Sequence, residues 1–458
     1  MAAIITTPFR IRNAENFKAD VTSSNVYIGI GKADAWSTNV SDTSDTVESV
    51  PGDHIDDAFN AQQNLIGLKK VGTGNISHVV RRIDWADGKV FTAYDSSNTN
   101  LYNDDFYCLT SEFKVYKCVI GGPSGSTVQP NHTTADITGY GDGYYWKYMY
   151  TIIAADSEAF LTNSFMPVKT LVSDPGSNSA DAGQWNNQQS SASSATVQGI
   201  ERLVITNGGS GYSAADNFNF GTLSKITGDG TNAAFTNGDV TVTNGAITSI
   251  EINAPGSGYT VADVVIGSDG PGANATARAV IAPVGGHGVD PVSELGGFFI
   301  AINTQLTGVE VTADNDFRQV SIIKDPKKID GSAITATTVQ TLKYLHTTTS
   351  ITNFLPDMRV QGNTSGAVAY VAFTDTTNNR IYFYQNEKTG YGTFQNSEVI
   401  TSTPGSHTAT LQSTAVVTDT SAGGPYDVGT GDVLFLENRQ PINRSATQIE
   451  DIKCIIEF

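Results

Sequence analysis

Any chemistry in this chain has to come from a few local constellations, each of which can be weighed on residue type and spacing. The first is VYIGIGKADAW, Val26 to Trp36, where an apolar run leads into glycine, lysine and an acid. A phosphate-cradling loop needs four residues between its glycines and then Lys-Ser/Thr, so that successive backbone N–H groups wrap the anion. Here Gly29 and Gly31 are one residue apart, and Lys32 is followed by Ala33 and Asp34. No third glycine and no helical pattern arrive before the Ser/Thr-rich run SDTSDTVES, 41–49, so the dinucleotide fingerprint fails as well. Alternation of Val26, Ile28 and Ile30 reads as a buried strand. Gly29 and Gly31 are expected to let that strand turn sharply under Trp36.

His54, beside Asp53, Asp56 and Asp57, offers the residue types of a metal site. A metal needs converging ligands, and six histidines scattered over 458 residues supply no second one at a recognisable spacing. Acids at a helix start explain the group instead. GGHGVDP, around His287, has no serine or cysteine nucleophile motif beside it, and Gly285, Gly286 and Gly288 read as a tight chain reversal. The loops TGDGTN, 227–232, and SDGPGAN, 268–274, carry oxygen donors but lack the distal glutamate of a calcium loop. A carboxylate pair for glycoside hydrolysis is defined by its separation across a cleft, which spacing among 46 acids does not reveal. The aromatic stretch GDGYYWKYMY reads as sheet core and interface. The expectation is a protein that is not an enzyme, with no catalytic residue, no cofactor and no metal.

The elements that would position such groups are short strands. Ser, Thr, Asn and Gly cluster about every ten residues, the cadence of strands joined by turns. Few short helices are expected, and the best candidate is HIDDAFNAQQNLIGLKK, where Ile55, Phe59, Leu65 and Ile66 fall near helical spacing. Aromatics crowd the chain up to about Leu171, and from Val172 to Thr196 the composition falls to Ser, Asn, Gln, Gly and Asp, as in a surface linker or long loop.

An internal repeat follows. GIERLVITNGGSGYSAAD, from Gly199, matches AITSIEINAPGSGYTVAD, from Ala246, at an offset of 47 residues. In each copy the Gly-Ser-Gly supplies positive φ angles, and Tyr212 or Tyr259 is expected to cover the turn. Two copies would bury their apolar faces against each other as one small β-domain. A second excursion, from about Ala333, carries VQGNTSGAVAYVAF and NRIYFYQNEKTGYGTFQNSEVI. The ending IEDIKCIIEF puts Ile449, Ile452, Cys454 and Ile456 largely on one strand face, expected to pair with strands of the N-terminal half.

Composition narrows the partners. With 27 basic and 46 acidic side chains the net charge is −19, which repels phosphate backbones and anionic membranes, so neither nucleic acid nor membrane is expected. Cys108, Cys118 and Cys454 form an odd, sparse set, expected as buried free thiols in a reducing cytosol. The apolar run Ala2 to Ile5 is too short for a secretory leader.

Five segments in order resemble one family. They are VYIGIGKADAWST, RRIDWADG, GDGYYWKYMYTI, FRQVSII and ENRQPINRSATQIEDIKCIIEF, and together they span a framework of about half the chain. They resemble the baseplate wedge subunit, the product of the eighth baseplate gene, of T-even-like contractile-tailed bacteriophages. The resemblance implies a structural virion protein of the tail baseplate, assembled in the bacterial cytoplasm. It would be a homodimer in contact with other baseplate wedge proteins, and would relay a conformational switch on host contact. The segments 195–283 and 333–417 stand as additions to that framework.

The expected fold is mainly β: a multi-domain β-sandwich framework with few short helices and two inserted small β-domains. Residues 1–95, 284–332 and 418–458 would form a discontinuous framework domain and 96–194 a second sandwich, with the insertions at 195–283 and 333–417. The alternative function is a carbohydrate-binding or host-adhesin module of a phage tail built on the repeats. It would require Tyr212 and Tyr259 to line one exposed platform.

Overall fold

The computed structural model describes residues 3–36, 48–122, 124–194, 196–308, 310–311, 315–417 and 426–458. Residues 41–47 of the Ser/Thr-rich run, the Ser37-Thr38 end of the first motif, and the boundary positions 195 and 418 lie outside that set. The fold is mainly β and multi-domain, and the residues divide into two compact units. One comprises 1–15, 77–300 and 456–458, the other 16–76 and 301–455.

In the first unit the aromatic stretches form a four-stranded antiparallel sheet. Lys114–Ile120 and Tyr145–Thr151 are its centre, with Tyr107–Leu109 and Ile137–Gly139 outside. Alternation along these strands buries Val115, Trp146 and Tyr148 in a core shared with Phe91, Phe106 and Tyr144. Tyr144 and Trp146 stack at 5.8 Å, and Phe91 meets the Trp146 ring edge-on at 5.1 Å.

Within the stretch 172–196, residues 172–181 are irregular surface chain, but the part that follows is not linker or loop. Ala182–Ala192 is a helix that buries Gln184, Asn187, Gln188 and Ser191. Their amides serve the main chain of neighbouring segments: Asn187 Nδ2 donates to Tyr148 O and Met149 O at 3.1 and 3.2 Å, and Gln188 Nε2 to Leu171 O at 3.1 Å. A helix docked by carboxamides has no apolar stripe, so periodicity is blind to it. The helix Thr7–Ser23 was equally silent, with only Ile11, Ala14 and Val21 buried on it.

The repeat segment carries a core made from its own residues, among them Ile200, Phe218, Phe235, Ile247 and Ile250. Four antiparallel strand pairs hold it. Ile200–Ser210 pairs with Ala273–Ile281, Lys225–Gly228 with Ala262–Val265, Thr231–Ala234 with Ala254–Ser257, and Val240–Thr243 with Ala246–Ile250. Each pair joins one copy of the repeat to the other. The Gly-Ser-Gly signatures do supply positive φ: Gly209 and Gly211 at 65° and 78°, Gly256 and Gly258 at 66° and 75°. Tyr212 and Tyr259 lie buried over them, and their hydroxyls accept from Ala275 N at 3.4 Å and Ala233 N at 3.2 Å, again in the opposite copy.

In the second unit Val26–Gly31 is central in a five-stranded sheet ordered Thr338–Gln340, Leu65–Lys70, Val26–Gly31, Phe317–Lys324, Asp432–Ile442. Gly29 and Gly31 do not turn the strand. A Cβ on Gly29 would stand 2.5 Å from Ser321 Oγ and 2.6 Å from Leu65 Cδ2, and one on Gly31 would stand 2.7 Å from Asn64 O. The glycines admit neighbouring strands, and the reversal falls on Lys32, at φ 62°. The expected helix ends early: it runs Ile55–Gln63, and Leu65 and Ile66 belong to the next strand, whose burial their apolar character serves.

The second excursion closes as a six-stranded barrel. In order around it run Lys343–Thr347, Arg380–Tyr384, Val368–Asp375, Arg359–Gly362, Val399–Thr403 and Thr408–Val417, which returns to the first. Its interior is aliphatic and aromatic: Leu345, Val360, Val371, Phe383, Ile400 and Leu411 are among the buried residues. The C-terminal strand Ile449–Glu457 lies beside Phe299–Thr307, not beside a strand of the N-terminal half. Ile452 and Cys454 are buried on it, while Ile449 is 62% exposed because it sits at the strand's outer start.

Candidate functional site

Two lysines sit where alternation demands apolar groups. Lys117, in FKVYKCVI, and Lys147, in YYWKYMYTI, are direct cross-strand partners, 0% and 2% exposed. Like charges placed opposite each other destabilise a sheet unless acids intervene. Among the described residues, the acid that meets Lys117 comes from far along the chain. The short helix Pro291–Leu295, capped where Asp290 accepts from Ser293 N at 3.2 Å, carries Glu294 into contact with Lys117 Nζ. The other Glu294 oxygen, Oε1, accepts from Gly288 N at 2.7 Å and Asp290 N at 3.2 Å. That double anchoring is what the glycine reversal around His287 provides.

His287 is buried between two carboxylates, with Glu201 in contact at Nε2 and Glu294 Oε2 3.7 Å from Nδ1. Neither ring nitrogen has an aligned hydrogen bond. The Tyr94 ring meets the imidazole edge-on at 4.9 Å and also lies 4.8 Å beneath Lys117 Nζ. Lys147 Nζ donates to Ser191 Oγ at 2.7 Å and to Ala135 O, and it borders a cleft of about 400 Å³ with His287 and Glu201.

Burial sets the proton affinities here. Lys147 is brought down to about 8 by desolvation, against the pull of Glu294. Burial alone would raise Glu294, but Lys117 and His287 bring it to about 2. Tyr94 is pushed up by burial, then by Glu201 and Glu294. Lys117 is thus ion-paired to Glu294, while Lys147 donates to the Ser191 hydroxyl and the Ala135 carbonyl. The arrangement binds strand, helix and loop together electrostatically.

Glu201 also belongs to the first strand of the repeat segment, so the network reaches the root of that domain. There Arg278 Nη1 donates to Asp95 Oδ1 at 2.7 Å, Arg202 Nη1 to Val119 O at 2.8 Å, and Ile281 N to Ser96 Oγ at 3.1 Å. Burial would raise Asp95, yet the Arg278 and Ser97 hydrogen bonds hold it near 2.

The constellations singled out by sequence resolve as follows. His54 caps its helix, accepting from Asp57 N at 3.2 Å, with Asp56 and Asp57 in the first turn; Asp53 is exposed. Among the described residues no three of His, Cys, Asp and Glu converge as a metal set. The acids of the two oxygen-rich loops are spent on backbone: Asp229 accepts from Thr260 N and Val261 N at 2.8 and 3.0 Å, and Asp269 from Asn217 N at 2.8 Å. Tyr212 and Tyr259, 5% and 3% exposed, form no platform, which removes the residues on which the carbohydrate alternative was built. Cys108, Cys118 and Cys454 are free and buried, and desolvation takes the last two thiols up to about 12. Missed entirely were Lys117, Lys147, Glu201 and Glu294. The available signal was a lysine at an inward position of an aromatic strand, twice.

The fold is that of a multi-domain β protein, and no helix among the described residues is long and apolar enough to cross a membrane. The chain is similar to baseplate wedge protein gp8 of Enterobacteria phage T4, 24% identical over 206 residues. That similarity covers 36% of this chain and 60% of the phage T4 protein, so the match spans less than two thirds of the relative's length. No protein-family profile matches the chain.

Proposed function

We propose that this chain is a non-enzymatic structural subunit of a phage tail baseplate, contacting other baseplate proteins within a wedge. The observation that carries the reading is the 24% identity over 206 residues with a baseplate wedge protein. The architecture supports it in kind: close-packed β-modules transmit displacement as discrete shifts, because packed interfaces are bistable and not continuously deformable. In this reading the chain is a homodimer and relays the baseplate's switch on host contact.

Mass spectrometry of purified particles, with cryo-EM localisation of the chain, tests the proposal. The expected result is density for this chain in the tail baseplate; its absence from particles, or a location in the head, would overturn it. Sedimentation of the purified chain at concentrations on the order of tens of micromolar tests the dimer. A monomer there removes that part of the reading alone.

A further inference from the structure

We infer that the cleft beneath Trp36, in the second unit, is a binding site for a neutral saccharide. It encloses about 560 Å³, and its walls include Trp36, Tyr391, Asn60, Gln319 and Asn386. Strands of the five-stranded sheet, the helix Ile55–Gln63 and the barrel's turn Glu387–Thr389 bring these side chains together.

Four observations carry the assignment. First, the cleft presents aromatic rings and carboxamides in one place. The apolar C–H face of a pyranose covers an aromatic ring, and its hydroxyls each donate and accept, as a planar amide does from adjacent atoms. Ligand sites of this kind combine aromatic walls with a few placed polar groups. The Trp36 ring is fixed by Nε1–H donating to Arg439 O at 3.0 Å, and Tyr391 is 40% exposed.

Second, two of the wall amides are held in fixed orientation. Asn386 Oδ1 accepts from Thr389 N at 3.0 Å, and Gln319 Nε2 donates to Asn438 Oδ1 at 2.8 Å.

Third, Lys32 and Tyr391 both hold the left-handed backbone region, at φ 62° and 52°. Residues other than glycine persist there when the surroundings impose it, and such positions gather at ligand sites. Fourth, the charges argue against an anionic ligand. Lys32 is neutralised by Asp34 at 2.8 Å, Lys388 lies 3.8 Å from the same carboxylate, and Asp57 and Glu387 add negative charge to the walls. A phosphate or a sugar acid would meet a net negative surround.

The test uses the full-length chain and four probes: glucose, galactose, mannose and N-acetylglucosamine. Saturation-transfer NMR is expected to show magnetisation passing to at least one of them, with millimolar affinity. Tyr391→Ala removes the exposed ring from the cleft wall. It should weaken binding about tenfold while leaving the melting temperature unchanged. Trp36→Phe, which keeps a ring but loses the indole, should weaken it as well. No transfer to any of the four probes would overturn the assignment. So would transfer that both variants leave unaltered, because the sugar would then sit elsewhere.

Discussion

The repeat domain and the barrel are built to opposite plans on one shared constraint. In both, the first strand of the module, Ile200–Ser210 or Lys343–Thr347, pairs with its last. Ile281 lies opposite Ile200 in the repeat domain, and Leu411 opposite Thr347 in the barrel. Entry and exit points of each module are thereby adjacent. Beyond that the two diverge. The barrel runs one continuous ladder around an apolar interior, and its register is specified by that interior. The repeat domain has four separate strand pairs, zipped by tyrosines over glycines and seated on buried charges. One module is held by burial, the other by local geometry and by electrostatics at its root.

Two substitutions of similar size should separate these plans by their response to pH. Phe383→Ala, in the barrel, is expected to lower stability by about 3–5 kcal/mol through the cavity it leaves. Glu294→Gln leaves Lys117 buried and unpaired, for a loss of about 3–5 kcal/mol at neutral pH. The depressed carboxyl of Glu294 stabilises the native state fully above its ordinary value of 4.5, and that stabilisation is lost as pH falls through about 2. In urea titrations the gap between parent and Glu294→Gln should therefore narrow below pH 4.5, while the Phe383→Ala gap stays constant. Parallel behaviour of both would break the comparison.

A smaller effect probes the local geometry. An added Cβ on Gly256 would stand 2.3 Å from Thr231 O, and one on Gly209 would stand 2.4 Å from Ala273 O, both at positive φ. Gly209→Ala and Gly256→Ala should each lose about 1–3 kcal/mol, equally if the copies are structurally equivalent. A pair of unchanged melting curves would show that the turns carry no constraint. Smallest of all, Tyr259→Phe removes the acceptor for Ala233 N and should cost about 1 kcal/mol, read as faster amide exchange at Ala233.

Legibility in the sequence followed the range of the interaction. The β character, the 47-residue repeat, its positive-φ glycines and its capping tyrosines are all local, and all were readable. The reversal at His287 was readable too, but not its purpose, because Glu201, Lys117 and Lys147 lie 86 to 170 positions away (287 − 201 and 287 − 117). Helix Ala182–Ala192 escaped for a different reason: its buried face is Gln184, Asn187 and Gln188, which hydropathy scores as solvent-facing. Leu65 and Ile66 sat near a helical spacing only because a strand begins one residue after the helix cap at Asn64.

The crossed pairing within the repeat domain bears on ancestry. Since each of its four strand pairs takes one member from each copy, a lone copy contains none of them. Before the segment was duplicated, a chain with a single copy could have made these contacts only with a second molecule. Duplication would then have fused two partners of an intermolecular assembly into one gene, converting a concentration-dependent association into an intramolecular one. A peptide bearing only the first copy, made today, should regain the fold when mixed with its counterpart and stay unstructured without it.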